Sequence, residues 1–155
     1  MGRGPSIRRA KASDAEAARE LIGRSMAVWD KPAGHVEEAI GLMSLSADDL
    51  ERDEAWVLAD GDDIVGFIRI SFSHVGSQAE IEELHLDPAW IGRGQGRRLF
   101  EHGVERARDR GAPRLVWSTD SYALGFYLTM GGVITGSEAS GIAGDEPLTT
   151  MELLL

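Results

Sequence analysis

Glycines at 92, 94 and 96 constrain this chain more than any other feature. They punctuate the run Leu84-His85-Leu86-Asp87-Pro88-Ala89-Trp90-Ile91-Gly92-Arg93-Gly94-Gln95-Gly96-Arg97-Arg98-Leu99. A strand has to stop at Asp87-Pro88, because proline brings no N–H to a ladder. The residues after it lack a Cβ at every second position, which permits left-handed backbone. Helix-period apolar residues then resume at Leu99, Phe100, Val104 and Ala107. A strand–turn–helix unit of this kind sets consecutive backbone N–H groups beside a helix N-terminus, a site suited to phosphate oxygens. A glycine-rich loop that holds no ligand is the plain alternative. Two familiar phosphate loops are excluded. Arg97-Arg98 follow Gly96 where a P-loop has Lys-Ser/Thr, and Leu99 stands where the dinucleotide fingerprint requires glycine or alanine.

Charge is unevenly placed around this turn. The 155-residue chain carries 26 acidic and 16 basic residues, a formal −10. Residues 91–115 nevertheless hold seven arginines against three acids, a surplus of four, which leaves −14 for the remainder. Arg93, Arg97 and Arg98 lie at the turn, where phosphate contact is the better reading. Arg106, Arg108 and Arg110 read as a solvated helix face. The acidic total, with no aromatic interleaving of the basic residues, argues against nucleic acid as a partner. Cysteine is absent, which excludes disulfides, thiolate metal sites and cysteine nucleophiles. The histidines at 35, 74, 85 and 102 show no metal-ligand spacing. No apolar run approaches the roughly 18 residues of a membrane span, and no leader pattern opens the chain, so a cytoplasmic protein is expected.

The rest of the sequence fits a mixed α/β arrangement. Residues 1–5 read as a flexible N-terminus and 6–155 as a single domain, with 43% hydrophobic residues to build its core. Residues 6–10 suggest a strand. Ser13-Asp14-Ala15-Glu16 has a capping-box pattern and opens a helix with Ala18, Leu21, Ile22, Ser25, Met26 and Trp29 on one stripe. A weaker helix is expected around Val36–Met43, and Ser44–Glu54 reads as irregular or a short capped turn. Strands follow at 55–59 and 64–72, joined by the turn Asp60-Gly61-Asp62-Asp63. A further strand covers 78–86, and the helix after the glycine turn runs over 94–110. Beyond it come a strand at 114–118, a short helix at 122–130, a strand from Val133, and a last strand at 148–155. The apolar end of that last strand, Met151 to Leu155, forms an edge that a second copy of the chain could cover.

Two separated motifs resemble the GNAT family of N-acetyltransferases. Gly94 and Gly96 match the small positions of that family's acyl-CoA-binding pattern Gln/Arg-x-x-Gly-x-Gly/Ala. Asp120-x-x-Ala123-x-x-Phe126-Tyr127-x-x-x-Gly131 resembles its segment Asn-x-x-Ala-x-x-Phe-Tyr-x-x-x-Gly-Phe. Three positions depart from the pattern: Ile91 replaces Gln/Arg, Asp120 replaces asparagine, and Gly132 replaces phenylalanine. The resemblance implies a mixed, mostly antiparallel central sheet of roughly six or seven strands with about four helices on its two faces. It also implies acetyl-CoA as acyl-donor cosubstrate, bound by Leu84, Leu86, Gly92, Arg93, Gly94, Gln95, Gly96, Arg97, Asp120 and Tyr127.

The implied reaction moves an acetyl group directly to a primary amine of a small molecule or peptide. A non-catalytic acyl-CoA-binding or regulatory module of the same fold is the alternative. The resemblance makes the backbone N–H of Leu86 the donor to the developing oxyanion and Tyr127 the acid that protonates the leaving thiolate. It places the base on the strand before the turn, with Glu82 favoured, acting through water. Simple alternation sends Glu82 to one face with Leu84 and Leu86, and Glu83 to the other with Ile81 and His85. Glu80, Glu83 and His85 stay open as the base. Trp29, Asp30, His35 and Glu83 are the candidates for contact with the acceptor.

Overall fold

The computed structural model describes residues 4–27, 45–73, 78–142 and 144–155. Trp29, Asp30 and His35, and the helix expected around Val36–Met43, lie outside them. Strand β1 (Ser6–Arg9) leads through a 3-10 turn (Ala12–Asp14) into α1 (Ala15–Ala27), and α2 (Ala47–Arg52) precedes β2 (Glu54–Asp60). The hairpin partner β3 (Asp63–Phe72) and then β4 (Ala79–Leu86) follow. A second 3-10 turn (Pro88–Trp90) delivers the chain to α3 (Gln95–Asp109). The C-terminal part is β5 (Arg114–Thr119), α4 (Leu124–Thr129), β6 (Val133–Glu138) and β7 (Leu148–Leu154).

These seven strands form one sheet in the order β1-β2-β3-β4-β5-β7-β6, with β4 and β5 parallel and every other pair antiparallel. Period-two alternation gives each face its own core. On one side Leu58, Ile68, Ile70, Leu115 and Met151 pack with Leu99, Phe100, Val104 and Ala107 of α3. On the other, Val57 and Phe67 pack with Leu21 and Ile22 of α1 and Leu50 of α2. Gly103 lets α3 approach β3, since a Cβ there would stand 2.7 Å from Ile68 Cδ1.

Three local expectations are corrected. Helix α1 is not opened by Ser13 and Glu16. Asp14 accepts from the Lys11 N–H at 2.7 Å while gripping Arg8 through two bonds of 2.9 and 3.1 Å. The cation on β1 fixes that carboxylate in the capping position. The reciprocal box belongs instead to α2, where Ser46 Oγ accepts from Asp49 N (3.3 Å) and Asp49 Oδ2 accepts from Ser46 N (2.8 Å). Arg106 and Arg110 are not a purely solvated face. Both donate at 2.9 Å to the buried Glu54, which also pairs with Arg9 at 3.1 Å. Lastly, β7 is no edge, because β5 and β6 cover it on both sides; β6 is the edge strand at that end of the sheet, with Val133 60% exposed.

Candidate active site

Strands β4 and β5 are joined by two rungs, Ala79↔Leu115 and Glu80↔Val116. Beyond them the strands part, and a cavity of about 520 Å³ lies in the opening. Its β4 wall is Leu84, His85 and Leu86. Asp87 N–H donates to Val65 O of β3 at 2.8 Å, which makes Leu86↔Gly66 a pair without direct hydrogen bonds. The Leu86 N–H therefore turns away from β3, toward the opened side, and by the same two-residue period so does that of Leu84.

The glycine turn closes one end of the cavity. Asp87 Oδ1 accepts from Ala89 N at 3.0 Å and its Oδ2 accepts from Arg24 Nε at 3.1 Å, so the turn is tied to α1. Gly92 (φ +82°) and Gly94 (φ +79°) supply the left-handed residues, Gly94 as the cap of α3. Nothing lies within 4 Å of a Cβ added at either, so the turn leaves open space beside the first amides of α3. Gly96 lies under the cavity floor, where a Cβ would meet Leu86 Cδ1 and Phe126 Cε1, each at 3.3 Å. Arg97 lines the cavity. Arg93 instead stacks on Trp90, 4.9 Å from the ring centroid, and Gln95 Oε1 accepts from Arg98 at 3.3 Å. Arg98 also donates to the Pro5 carbonyl.

The far wall comes from the segment after β5. Asp120 Oδ1 accepts from Ala123 N at 3.0 Å and shapes the chain's entry into α4, which carries Phe126 and Tyr127 into the cavity wall. Tyr127 is 7% exposed and packs against Trp117, with ring centroids 5.0 Å apart. Burial, reinforced by the Asp120 charge, holds the Tyr127 phenol well above its ordinary pKa, so it keeps its proton at neutral pH. From the α1 side come Ser25 and Met26, with His85 Nδ1 3.1 Å from Ser25 Oγ. Burial pushes the His85 pKa down to about 4 against an upward pull from Asp120, leaving the imidazole neutral.

The β4 carboxylates stand elsewhere. The register slips between Arg69↔Glu83 and Ile70↔Ile81, so Glu82 is an inserted residue in a β-bulge. Ile81 consequently shares the α3 face with Leu84, rather than with Glu83 as plain alternation has it. Glu82 is exposed and accepts from Ser71 Oγ at 2.7 Å. Glu83 is buried in a bidentate pair with Arg69, at 2.6 and 2.9 Å, and Arg69 also holds Asp53 at 2.6 Å. Burial raises the Glu83 pKa against the pull of Arg69. Burial and repulsion from Glu82 and Glu138 raise that of Glu80. None of these three glutamates lines the cavity. Ser25 and Met26 do, and the sequence carries no signal for them beyond their place on the α1 stripe.

The cavity fits a long acyl thioester with a phosphate-bearing tail. One end offers amides and Arg97, the lining beyond it is apolar through Leu84, Leu86, Ile91, Phe126 and Met130, and Tyr127 supplies a held proton. Among the described residues no helix is long and apolar enough to cross a membrane, and no cluster of His, Asp and Glu could hold a metal ion.

Comparison with known proteins points the same way. Residues 16–131 match the model of the acetyltransferase (GNAT) family. Streptothricin acetyltransferase of Streptomyces lavendulae is 34% identical over 85 residues, which take in 53% of this chain and 44% of that protein. Peptidyl-lysine N-acetyltransferase YjaB of Salmonella typhimurium is 27% identical over 154 residues, covering 94% of this chain and 96% of that one. In fold, the chain is similar to the PaiA N-acetyltransferase of Thermoplasma acidophilum, solved in complex with coenzyme A. That likeness has a TM-score of 0.81 and 16% identity over 99% of this chain and 100% of that one.

Proposed function

Since the chain belongs to the GNAT acetyltransferase family, we propose that it moves an acetyl group from acetyl-CoA directly to a primary amine of a small molecule or peptide. The parting of β4 from β5 carries this reading, because it places an unpaired strand edge, a glycine-opened helix terminus and a buried tyrosine around one cavity. When bound, acetyl-CoA supplies the thioester whose carbonyl accepts the amine. The first amides of α3 and the Arg97 guanidinium hold its phosphates. The Leu86 N–H faces the opened side and donates to a carbonyl oxygen as negative charge gathers there, a contribution of about 3–4 kcal/mol in a site free of water. Tyr127 retains its phenolic proton and delivers it to the departing sulfur. Glu82 stands exposed outside the cavity wall, so its part as base runs through water.

Calorimetric titration with acetyl-CoA and thiol release with a panel of amines test the proposal. Tyr127→Phe lowers turnover by about 10²–10⁴-fold with cofactor affinity unchanged. Unaltered turnover in that variant would remove Tyr127 from the acid role. Binding of acetyl-CoA without thiol release for any amine would favour a non-catalytic module.

A further inference from the structure

The cavity reaches both faces of the sheet. Leu84 and Leu86 pack on the α3 side, whereas His85 turns to the other face and meets Ser25 of α1. All four line the same opening beyond the β4–β5 rungs. Ser25 Oγ and His85 Nδ1 stand 3.1 Å apart, within hydrogen-bond reach. Direct transfer to an amine assigns no step to either side chain. A hydroxyl bonded to a neutral imidazole is nevertheless the arrangement that activates serine as a nucleophile. Burial pushes the His85 pKa down to about 4 against an upward pull from Asp120, so the imidazole carries one proton at neutral pH. With that proton on Nε2, Nδ1 accepts from the Ser25 hydroxyl. The same cavity holds the other parts that opening a thioester requires. The Leu86 N–H faces the opened side for an oxyanion, and Tyr127 keeps a proton for a departing sulfur.

We propose that Ser25 and His85 form a nucleophile–base pair that slowly hydrolyses acetyl-CoA when no amine occupies the cavity. The inference rests on acetyl-CoA binding in this cavity and goes beyond transfer to an amine. The Ser25 hydroxyl proton passes to His85 Nδ1 as Oγ bonds to the thioester carbonyl carbon. Collapse of the tetrahedral adduct breaks the carbon–sulfur bond, and Tyr127 protonates the sulfur. Acetyl-Ser25, an imidazolium and a phenolate remain, and the imidazolium proton returns to the phenolate. Water then adds to the ester carbonyl and gives its proton to His85 Nδ1, which hands it to Ser25 Oγ as the carbon–oxygen bond breaks. The balance is one acetyl-CoA and one water to coenzyme A and acetic acid, which ionises in solvent. A base with a pKa well below the working pH drives proton transfer weakly, so this route is slow beside attack by an amine.

The test incubates the protein with acetyl-CoA in amine-free phosphate buffer and follows thiol release, with acid-quenched samples taken for peptide mass. The wild type is expected to release thiol faster than buffer alone. Ser25→Ala and His85→Leu should each lower that release by about 10²-fold or more, the contribution of a positioned base to its nucleophile. Ser25→Cys keeps a nucleophile of nearly the same shape and should take up one acetyl group at position 25. A wild type that binds acetyl-CoA by calorimetry yet releases no thiol without amine overturns the proposal. Release that survives Ser25→Ala overturns it as well, as does a Ser25→Cys protein that carries no acetyl group at that position. Failure of the amine-transfer reading shows separately, as bound acetyl-CoA with no release added by any amine, and the amine-free assay still decides Ser25. Absence of acetyl-CoA binding would overturn both.

Discussion

Replacing Arg69 with methionine takes the cation from between two buried carboxylates. Arg69, Asp53 and Glu83 are each 6% exposed or less, and the guanidinium makes three bonds of 2.6, 2.6 and 2.9 Å to the two acids. Methionine fills much of the same volume, so the loss is chiefly electrostatic. Removing one member of a buried ion pair typically costs about 3–5 kcal/mol, because the remaining charge is stranded away from water. For a domain of this size each kcal/mol moves the melting temperature by about 2–4 °C, so Arg69→Met should melt about 10 °C below the wild type at neutral pH. The loss also depends on pH in a stated direction. Burial already raises the Glu83 pKa with Arg69 present, and without the cation it rises further. A carboxyl whose folded pKa lies above its unfolded value favours folding when protonated, and that benefit disappears as pH rises through the folded pKa. The gap between variant and wild type should therefore be widest near pH 7 and narrow toward pH 5. Calorimetric melts across that interval measure it, and adding Glu83→Gln to Arg69→Met should restore part of the loss at pH 7. A gap that stays constant with pH, or a double variant no better than the single one, would refute the stranded-charge argument.

Gly96→Ala should leave stability nearly unchanged, since alanine is favoured over glycine in a helix by about 1 kcal/mol. Its Cβ presses on Leu86 and Phe126 at 3.3 Å, however, so weaker acetyl-CoA binding by calorimetry is expected, and unchanged affinity would count against a tight floor. For Glu54 burial acts upward, but hydrogen bonds from Arg106 and Trp56 and the charges of Arg106 and Arg9 win and hold its pKa to about 2. That stability is present above the unfolded value and is lost as pH falls through about 2. Urea unfolding should accordingly show Glu54→Gln weaker than the wild type at pH 7 and equal to it near pH 2.

Much of the frame was legible because it is written locally. The strand and helix periods located every strand and α1, α3 and α4 to within a few residues, and the turn Asp60-Gly61-Asp62-Asp63 closed the β2–β3 hairpin as its residues suggest. Capping was less legible. Ser13-x-x-Glu16 and Ser46-x-x-Asp49 both offer a hydroxyl followed by an acid, yet Arg8 on β1 captures Asp14 and shifts the first cap. The arginine island divides for a similar reason. Arg97 reaches the cavity, while Arg106 and Arg110 are drawn to Glu54, more than fifty residues earlier.

By itself the sequence determined the glycine turn and the tyrosine helix, since positive φ, the missing Cβ and the proline stop are properties of single residues and their neighbours. The tertiary structure decided which acids face the cavity. One inserted residue at Glu82 breaks the alternation of β4, Glu83 pairs with Arg69, and among the described residues Asp120 is the carboxylate that lines the cavity. A bulge is chosen by the register of two strands and by the partners on the neighbouring one, and neither is encoded in the period of a single strand.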